Sequence, residues 1–188
     1  MGIKDFKENL LKHSGEFEKC YKEESKDQFF VVENEDNVSI IRDFALEDEP
    51  CLKIKNKNLQ IGFLAFDKCY VEKIKQYSGL RCDCLLFSNN YLVFVELKLD
   101  VTSRRKTADN LKEGRKQLSN TISYFHRYFN VDFQSFSNNA IVVLPKQFYP
   151  RNQARLAILK KRFLIDNFGV EYFEDVEFTF NENKNNKS

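Results

Sequence analysis

Two apolar segments, residues 80–87 and 91–99, flank the tripeptide Ser88-Asn89-Asn90. Each segment has the length of a buried strand, and asparagine tolerates the left-handed backbone of a tight turn. A turn with Asn89 and Asn90 at its centre fixes the register of the two strands, so that Leu85 faces Phe94. We therefore predict an antiparallel hairpin in the core of the protein.

Three charged residues interrupt this apolar hairpin. The same register places Asp83 opposite Glu96 with β-carbons about 5 Å apart, and strand alternation puts Lys98 on the face of Glu96. Charged groups in a core strand are costly unless they are paired or metal-bound, and two facing carboxylates repel unless a cation lies between them. The pattern predicts a divalent metal site. The alternative is that these side chains lie at the solvated ends of the strands.

The rest of the chain predicts an α/β fold with a mixed central sheet in a single domain over residues 1–180, followed by a disordered polar tail over 181–188. Residues 1–26 and 151–168 have helical spacing of apolar residues. The expected helix over residues 107–129 has an apolar face made of Ala108, Leu111, Leu118, Ile122, Phe125 and Phe129. Further strands are expected over residues 29–32, 38–44, 59–66, 140–144 and 170–180.

Charge is distributed unevenly, although the 30 basic and 28 acidic residues nearly balance. Residues 104–162 hold 13 basic and 3 acidic side chains, and the rest of the chain carries the acidic excess. Such a segment attracts a phosphate backbone, or it is an ordinary solvated surface. The candidates for nucleic-acid binding are Arg104, Arg105, Lys106, Lys112, Arg115 and Lys116.

Cysteine content and hydropathy bear on the compartment. Five cysteines in a chain without the pattern of a signal peptide predict reduced thiols and a cytoplasmic protein. No window approaches the roughly 18 apolar residues of a membrane span. Cys82 and Cys84 flank Asp83 and are expected on the face opposite to it, packed against Val95 and Leu97 as core residues rather than bound to zinc.

The segment from Asp83 to Glu96-Leu97-Lys98, in the order strand, turn, strand, helix, strand, resembles the PD-(D/E)xK nuclease superfamily. That superfamily includes restriction endonucleases, Holliday junction resolvases and repair exonucleases. The resemblance covers roughly residues 59–144 and implies a restriction endonuclease-like fold. The chain departs from the family at Cys82, where many members have proline.

The resemblance implies a role for each residue of the motif. Asp83 and Glu96 would bind Mg²⁺ or Mn²⁺, with the carbonyl of Leu97 as a further ligand. Lys98 would position the attacking water, help to deprotonate it, and stabilise charge on the phosphate. Gln117 resembles a glutamine near the site in some branches, and its alternative is a solvated helix residue. Some branches add an acidic ligand from the first helix, for which Glu16, Glu18, Glu23 and Glu24 are all open candidates.

The expected function is metal-dependent hydrolysis of phosphodiester bonds, in DNA rather than RNA. One alternative is a catalytically inactive nuclease-like protein that binds nucleic acid or serves as a subunit of a larger assembly. Another is a structural or regulatory protein whose basic segment is ordinary surface. A homodimer would suit cleavage of both strands of a duplex, but no residue pattern in the chain requires one.

Overall fold

The computed structural model describes residues 6–8, 10, 12, 17–71, 79–133, 136–149 and 153–181. Within them the helices are α1 (Phe17–Cys20), α2 (Arg104–Tyr128) and α3 (Gln153–Asp166), with a π-helical turn at Phe66–Tyr70 and a 3-10 turn at Lys146–Phe148. The strands are β1 (Tyr21–Glu24), β2 (Gln28–Glu33), β3 (Ser39–Arg42), β4 (Leu52–Asn56), β5 (Ile61–Ala65), β6 (Cys84–Ser88), β7 (Tyr91–Leu97), β8 (Ser137–Val143), β9 (Glu171–Glu174) and β10 (Glu177–Phe180). The predicted mixed α/β class is confirmed.

The larger sheet has six strands in the order β1-β5-β6-β7-β8-β9. Strands β1, β5, β6 and β7 are antiparallel to their neighbours, whereas β7, β8 and β9 are parallel. The parallel strands are joined through α2 and α3, as parallel connections require. All residues of β5, β6 and β7 are buried, which explains why their sequences are almost continuously apolar.

The predicted hairpin register is confirmed along the ladder of β6 and β7. Ser88 pairs with Tyr91, Leu85 with Phe94, and the last pair is Cys84 with Val95. One face of this hairpin packs under α2, because Leu85, Leu92 and Phe94 share a core with Leu118, Ile122 and Phe125.

The other face of the large sheet is covered by a second sheet, with strand order β10-β4-β2-β3. Its buried side chains, among them Phe29, Ile54 and Phe180, share a core with Leu86 and Val93 of the hairpin. The sequence predictions omitted β4 and treated residues 170–180 as one strand. That second prediction is wrong, because the chain breaks after β9 and enters the other sheet as β10.

Helix α2 begins at Arg104 rather than at residue 107, and most of its predicted apolar face is buried against the sheet. Ala108 is the exception, since it is exposed. At this end of the helix the buried residues are the predicted Leu111 together with Thr107 and Gly114. The helix is polar on its outer side, and none of the described helices is long and apolar enough to cross a membrane.

The N-terminal segment departs from the prediction of one helix over residues 1–26. Its described residues between 6 and 12 are helical, but the chain becomes extended at Tyr21, where β1 pairs with β5.

The expectation of reduced thiols is also wrong for one pair. Packing of α1 against the π-helical turn brings Cys20 and Cys69 into a disulfide, whereas Cys51, Cys82 and Cys84 are free thiols. Of the predicted tail, residues 182–188 lie outside the described residues.

Candidate active site

Asp83 lies immediately before β6 and is held at several points. Its N–H donates to the carbonyl of Val95 at 3.0 Å, and its own carbonyl accepts the N–H groups of Phe66 at 2.8 Å and Asp67 at 3.2 Å. Its side-chain Oδ2 accepts the N–H of Leu97 at 2.6 Å. Because the regular ladder ends at the next residue, Asp83 is anchored beside β7 rather than paired directly with Glu96.

Glu96 lies in the middle of the large sheet and points towards α2. Its side chain is only 1% exposed, and Gly114 of α2 passes directly over it. A β-carbon added at Gly114 would lie 3.2 Å from Cγ of Glu96 and 3.0 Å from Cγ2 of Val142, so the missing side chain allows the helix to approach the sheet closely. Glu96 Oε2 is buried and has no hydrogen-bond partner among the described residues.

Lys98 shares the face of Glu96, as strand alternation predicts. Its Nζ lies 2.9 Å from Glu96 Oε1 and 3.8 Å from Glu113 Oε1 of α2. Burial of the ammonium group opposes its charge, but the carboxylates of Glu96, Glu113 and Asp83 together outweigh this effect and raise the pKa of Lys98. The site therefore contains a charged lysine of which only 13% of the side chain is exposed.

The two carboxyl groups of the motif both have raised pKa values. Burial raises the pKa of Asp83 to about 7, although the hydrogen bond from Leu97 works in the opposite direction. Burial and the nearby Asp83 both raise the pKa of Glu96 well above its ordinary value, against the effect of Lys98. Both shifts have the direction expected for buried acids with too little positive charge around them.

These groups fit a divalent metal ion. Glu96 Oε2 is a hard oxygen donor that lacks a partner among the described residues, and the negative charge of Asp83 contributes to the raised pKa of Glu96. No group of three or more His, Cys, Asp or Glu side chains in the described part of the chain could hold a metal. Two carboxylates suffice for Mg²⁺, which usually keeps several waters. Leu97 contributes its N–H to Asp83, and its carbonyl as a metal ligand stays a prediction.

Two further acidic residues near the site were not predicted. Asp67, in the π-helical turn, raises the pKa of both Asp83 and Glu96, and it forms an ion pair with Arg81. Glu33, at the end of β2 in the second sheet, also raises the pKa of Asp83. Asp67 directly follows the apolar segment 59–66, so an acid at a strand end was a signal available in the sequence. The position of Glu33 depends on the second sheet, which was not predicted.

The acidic candidates from the first helix do not reach these groups in the described structure. Glu23 lies on edge strand β1, where its carboxylate is bonded to Lys7, Tyr21 and Gln60. Glu24, on the same strand, bonds the N–H groups of the two residues that follow it. Glu18 lies on α1 and is exposed, and Glu16 lies outside the described residues.

Gln117 lies on α2, one helical turn beyond Glu113. Its Nε2 donates to the carbonyl of Arg81 at 3.2 Å, and its Oε1 is buried without a hydrogen-bond partner among the described residues. The side chain is partly exposed, and its amide group braces the segment that leads into Asp83. A direct catalytic role for Gln117 stays a prediction.

The predicted nucleic-acid-binding residues fall into two groups. Arg115 is partly buried, and its NH1 lies 3.5 Å from Oε1 of the buried Glu174 on β9. The other five are exposed along α2. Arg104, Arg105 and Lys106 lie in its first turn, and Lys112 and Lys116 lie further along the helix.

Cys82 and Cys84 are both fully buried, but on different faces of the large sheet. Cys84 lies between the two sheets with Val95 and Leu97, as predicted. Cys82 instead belongs to the core under α2, where its N–H donates to Thr121 Oγ1 at 2.9 Å. The prediction of a shared face is wrong because strand alternation does not extend beyond the start of β6.

Comparisons of the chain with protein-family models, with curated proteins and with solved structures found no match.

Proposed function

We propose that the protein is a metal-dependent nuclease that hydrolyses phosphodiester bonds, in DNA rather than RNA. The observation that carries the proposal is the buried carboxylate of Glu96. One of its oxygens is bonded to Lys98, the other lacks a partner among the described residues, and the charge of Asp83 raises the pKa of the group. Such an arrangement is costly in a protein core, and a bound divalent cation would compensate for it.

Each group has a chemical role in this proposal. Mg²⁺ or Mn²⁺ held by Asp83 and Glu96 would polarise the scissile phosphate and activate a water molecule. Lys98 keeps its positive charge in the ion pair with Glu96, which suits it to stabilise negative charge that develops on the phosphate. The hydrogen bonds of Asp83 to Phe66, Val95 and Leu97 hold its carboxylate in place before substrate arrives.

The start of α2 supports an anionic substrate. Its first turn contains Arg104, Arg105 and Lys106 and no acidic residue. Positive charge at a helix N-terminus opposes the helix dipole and costs about 0.3–1 kcal/mol per residue. An anion such as a phosphate backbone would reverse this cost, and the helix starts six residues after Lys98 in the sequence.

The order of elements around the motif also supports the proposal. Strands β5, β6 and β7 form an antiparallel set, α2 follows, and β8 returns parallel to β7. This order is the one that the resemblance to PD-(D/E)xK nucleases implies for residues 59–144.

Replacement of Lys98 by methionine tests the proposal. Methionine keeps the length of the side chain and removes its charge, so we expect cleavage to fall about 10²–10³-fold while the protein remains folded. The assay uses end-labelled double-stranded, single-stranded and branched DNA and RNA with Mg²⁺, Mn²⁺ or EDTA. Lys22→Met on the outer strand β1 is the matched control and should cleave like the wild type.

An unchanged cleavage rate for Lys98→Met would contradict the proposed role of the lysine. Folded wild-type protein that binds DNA but cleaves no substrate with either metal would contradict the nuclease proposal and favour a non-catalytic binding protein.

A further inference from the structure

A groove of about 450 Å³ is lined by residues of α2, residues of α3 and Leu80. Its rim carries four basic side chains and one acidic one, and its apolar lining comes from Leu80, Leu159 and Phe163. Leu80 is 44% exposed. The basic and acidic residues of the rim are Lys112, Arg115, Lys116, Arg162 and Asp166.

Arg115 of this groove is held by two residues of β9. It lies against the ring of Tyr172, with 5.8 Å from its Cζ to the ring centroid, and it pairs with Glu174. Tyr172 in turn donates its hydroxyl to Glu174 Oε1 at 3.0 Å. These contacts fix the buried side of the guanidinium, while 19% of the side chain remains exposed towards the groove. A guanidinium held in this way presents its remaining N–H donors in a fixed orientation, which suits them to bind a carboxylate or a phosphate.

The groove adjoins the candidate active site through two elements. On α2, Glu113 and Gly114 contact Lys98 and Glu96, and the next residue, Arg115, lines the groove. Leu80 is followed by Arg81, which lies two residues before Asp83. The carbonyl of Arg81 accepts a hydrogen bond from Gln117 of α2. The groove and the candidate site therefore share α2 and the segment that leads into Asp83.

We infer that this groove binds a single unpaired nucleotide next to the scissile phosphate, with its phosphate on Arg115 and Lys116 and its base against Leu80, Leu159 and Phe163. In a duplex the base faces are covered by their neighbours, so an apolar groove beside a phosphate-binding rim fits a single strand. The volume lies in the range of small-ligand pockets. The inference rests on the proposed function for the position of the scissile phosphate.

Binding measurements without cleavage test this inference. Fluorescence anisotropy of labelled eight-nucleotide oligothymidine and oligouridine is compared with that of a duplex of equal length, in EDTA and at several salt concentrations. Leu80→Ser and Lys116→Gln should each weaken single-strand binding about tenfold, and only Lys116→Gln should lower the salt slope, by about 0.7. The matched controls Leu164→Ser and Lys161→Gln alter residues of α3 outside the groove and should change affinity less than twofold.

The inference would be overturned if the two groove variants bound single strands as tightly as their controls. It would also be overturned if the wild type bound only duplex, or bound neither form. Oligothymidine bound more tightly than oligouridine would assign the groove to DNA, and the reverse order to RNA. If the wild type cleaves no substrate but the groove variants lose single-strand binding, only the nuclease proposal is contradicted. Cleavage by a protein whose groove variants bind normally would contradict only the groove.

Discussion

Glu96→Gln is expected to lower metal-dependent cleavage by about 10²–10³-fold and to make the metal-free protein more stable than the wild type. Both effects have the same cause. The carboxylate of Glu96 is buried beside Asp83, and burial raises its pKa well above the ordinary value. Glutamine has nearly the same shape without the charge, so it removes the repulsion together with the negative charge that a metal requires.

Two assays measure the expected loss of cleavage and the expected gain in stability of Glu96→Gln. Cleavage of end-labelled DNA with Mn²⁺ gives the rate, and urea unfolding in EDTA gives the free energy of unfolding. Glu171→Gln, an exposed position on β9, is the control and should change neither quantity. A variant Glu96→Gln that lost activity and also lost stability would contradict the account, because Glu96 would then be a structural residue stabilised by its pair with Lys98.

The stability of the metal-free protein is expected to fall as the pH rises from about 4 to about 7. Asp83 has a pKa of about 7 in the folded protein, above its ordinary value of 3.8, so the folded state binds more protons than the unfolded state in this interval. Ionisation therefore costs stability, and the raised pKa of Glu96 acts in the same direction. The loss between pH 5 and pH 8 should be on the order of 2–4 kcal/mol.

Urea unfolding at pH 5 and pH 8, with EDTA or with Mg²⁺, measures this dependence. Mg²⁺ should restore stability at pH 8 and have little effect at pH 5, because only the ionised carboxylates bind it. The double variant Asp83→Asn with Glu96→Gln should lose most of the pH dependence and the response to Mg²⁺. An equal pH dependence in wild type and double variant would show that other groups cause it.

The hairpin and its charged residues could be predicted because the information is local. A two-residue turn fixes the register of β6 and β7, and alternation then places Glu96 and Lys98 on one face. The apolar spacing of α2 is also local, and it correctly placed Leu118 and Phe125 in the core. Glu96 and Leu97 of the predicted motif lie within β7, and Asp83 and Lys98 lie directly beside the ends of the hairpin strands.

The second sheet could not be predicted with the same methods. Strand β4 has only two buried apolar residues, Leu52 and Ile54, which alternate with lysines, and such a short pattern is also common in loops. Residues 170–180 are apolar enough for one strand, and the break between β9 and β10 depends on the position of the other sheet. The place of Glu33 near Asp83 follows from this packing and has no local signal.

Departures close to the site have a similar cause. Strand alternation predicts Cys82 and Cys84 on one face, but the chain leaves the ladder at Asp83, whose carbonyl accepts the N–H groups of Phe66 and Asp67. The disulfide between Cys20 and Cys69 joins residues 49 positions apart, and their proximity results from the packing of α1 on the π-helical turn. The position of Asp67 beside Asp83 and Glu96 depends on the same tertiary contacts.

Titration with Mn²⁺ at pH 8 tests most directly whether Asp83 and Glu96 together bind a divalent metal. The paramagnetic resonance signal of free Mn²⁺ is recorded while metal is added to the wild-type protein, to Glu96→Gln and to the control Glu171→Gln. We expect one site in the wild type and the control, and at least tenfold weaker binding in Glu96→Gln. Equal binding of Mn²⁺ by wild type and Glu96→Gln, or no binding by either, would contradict this expectation.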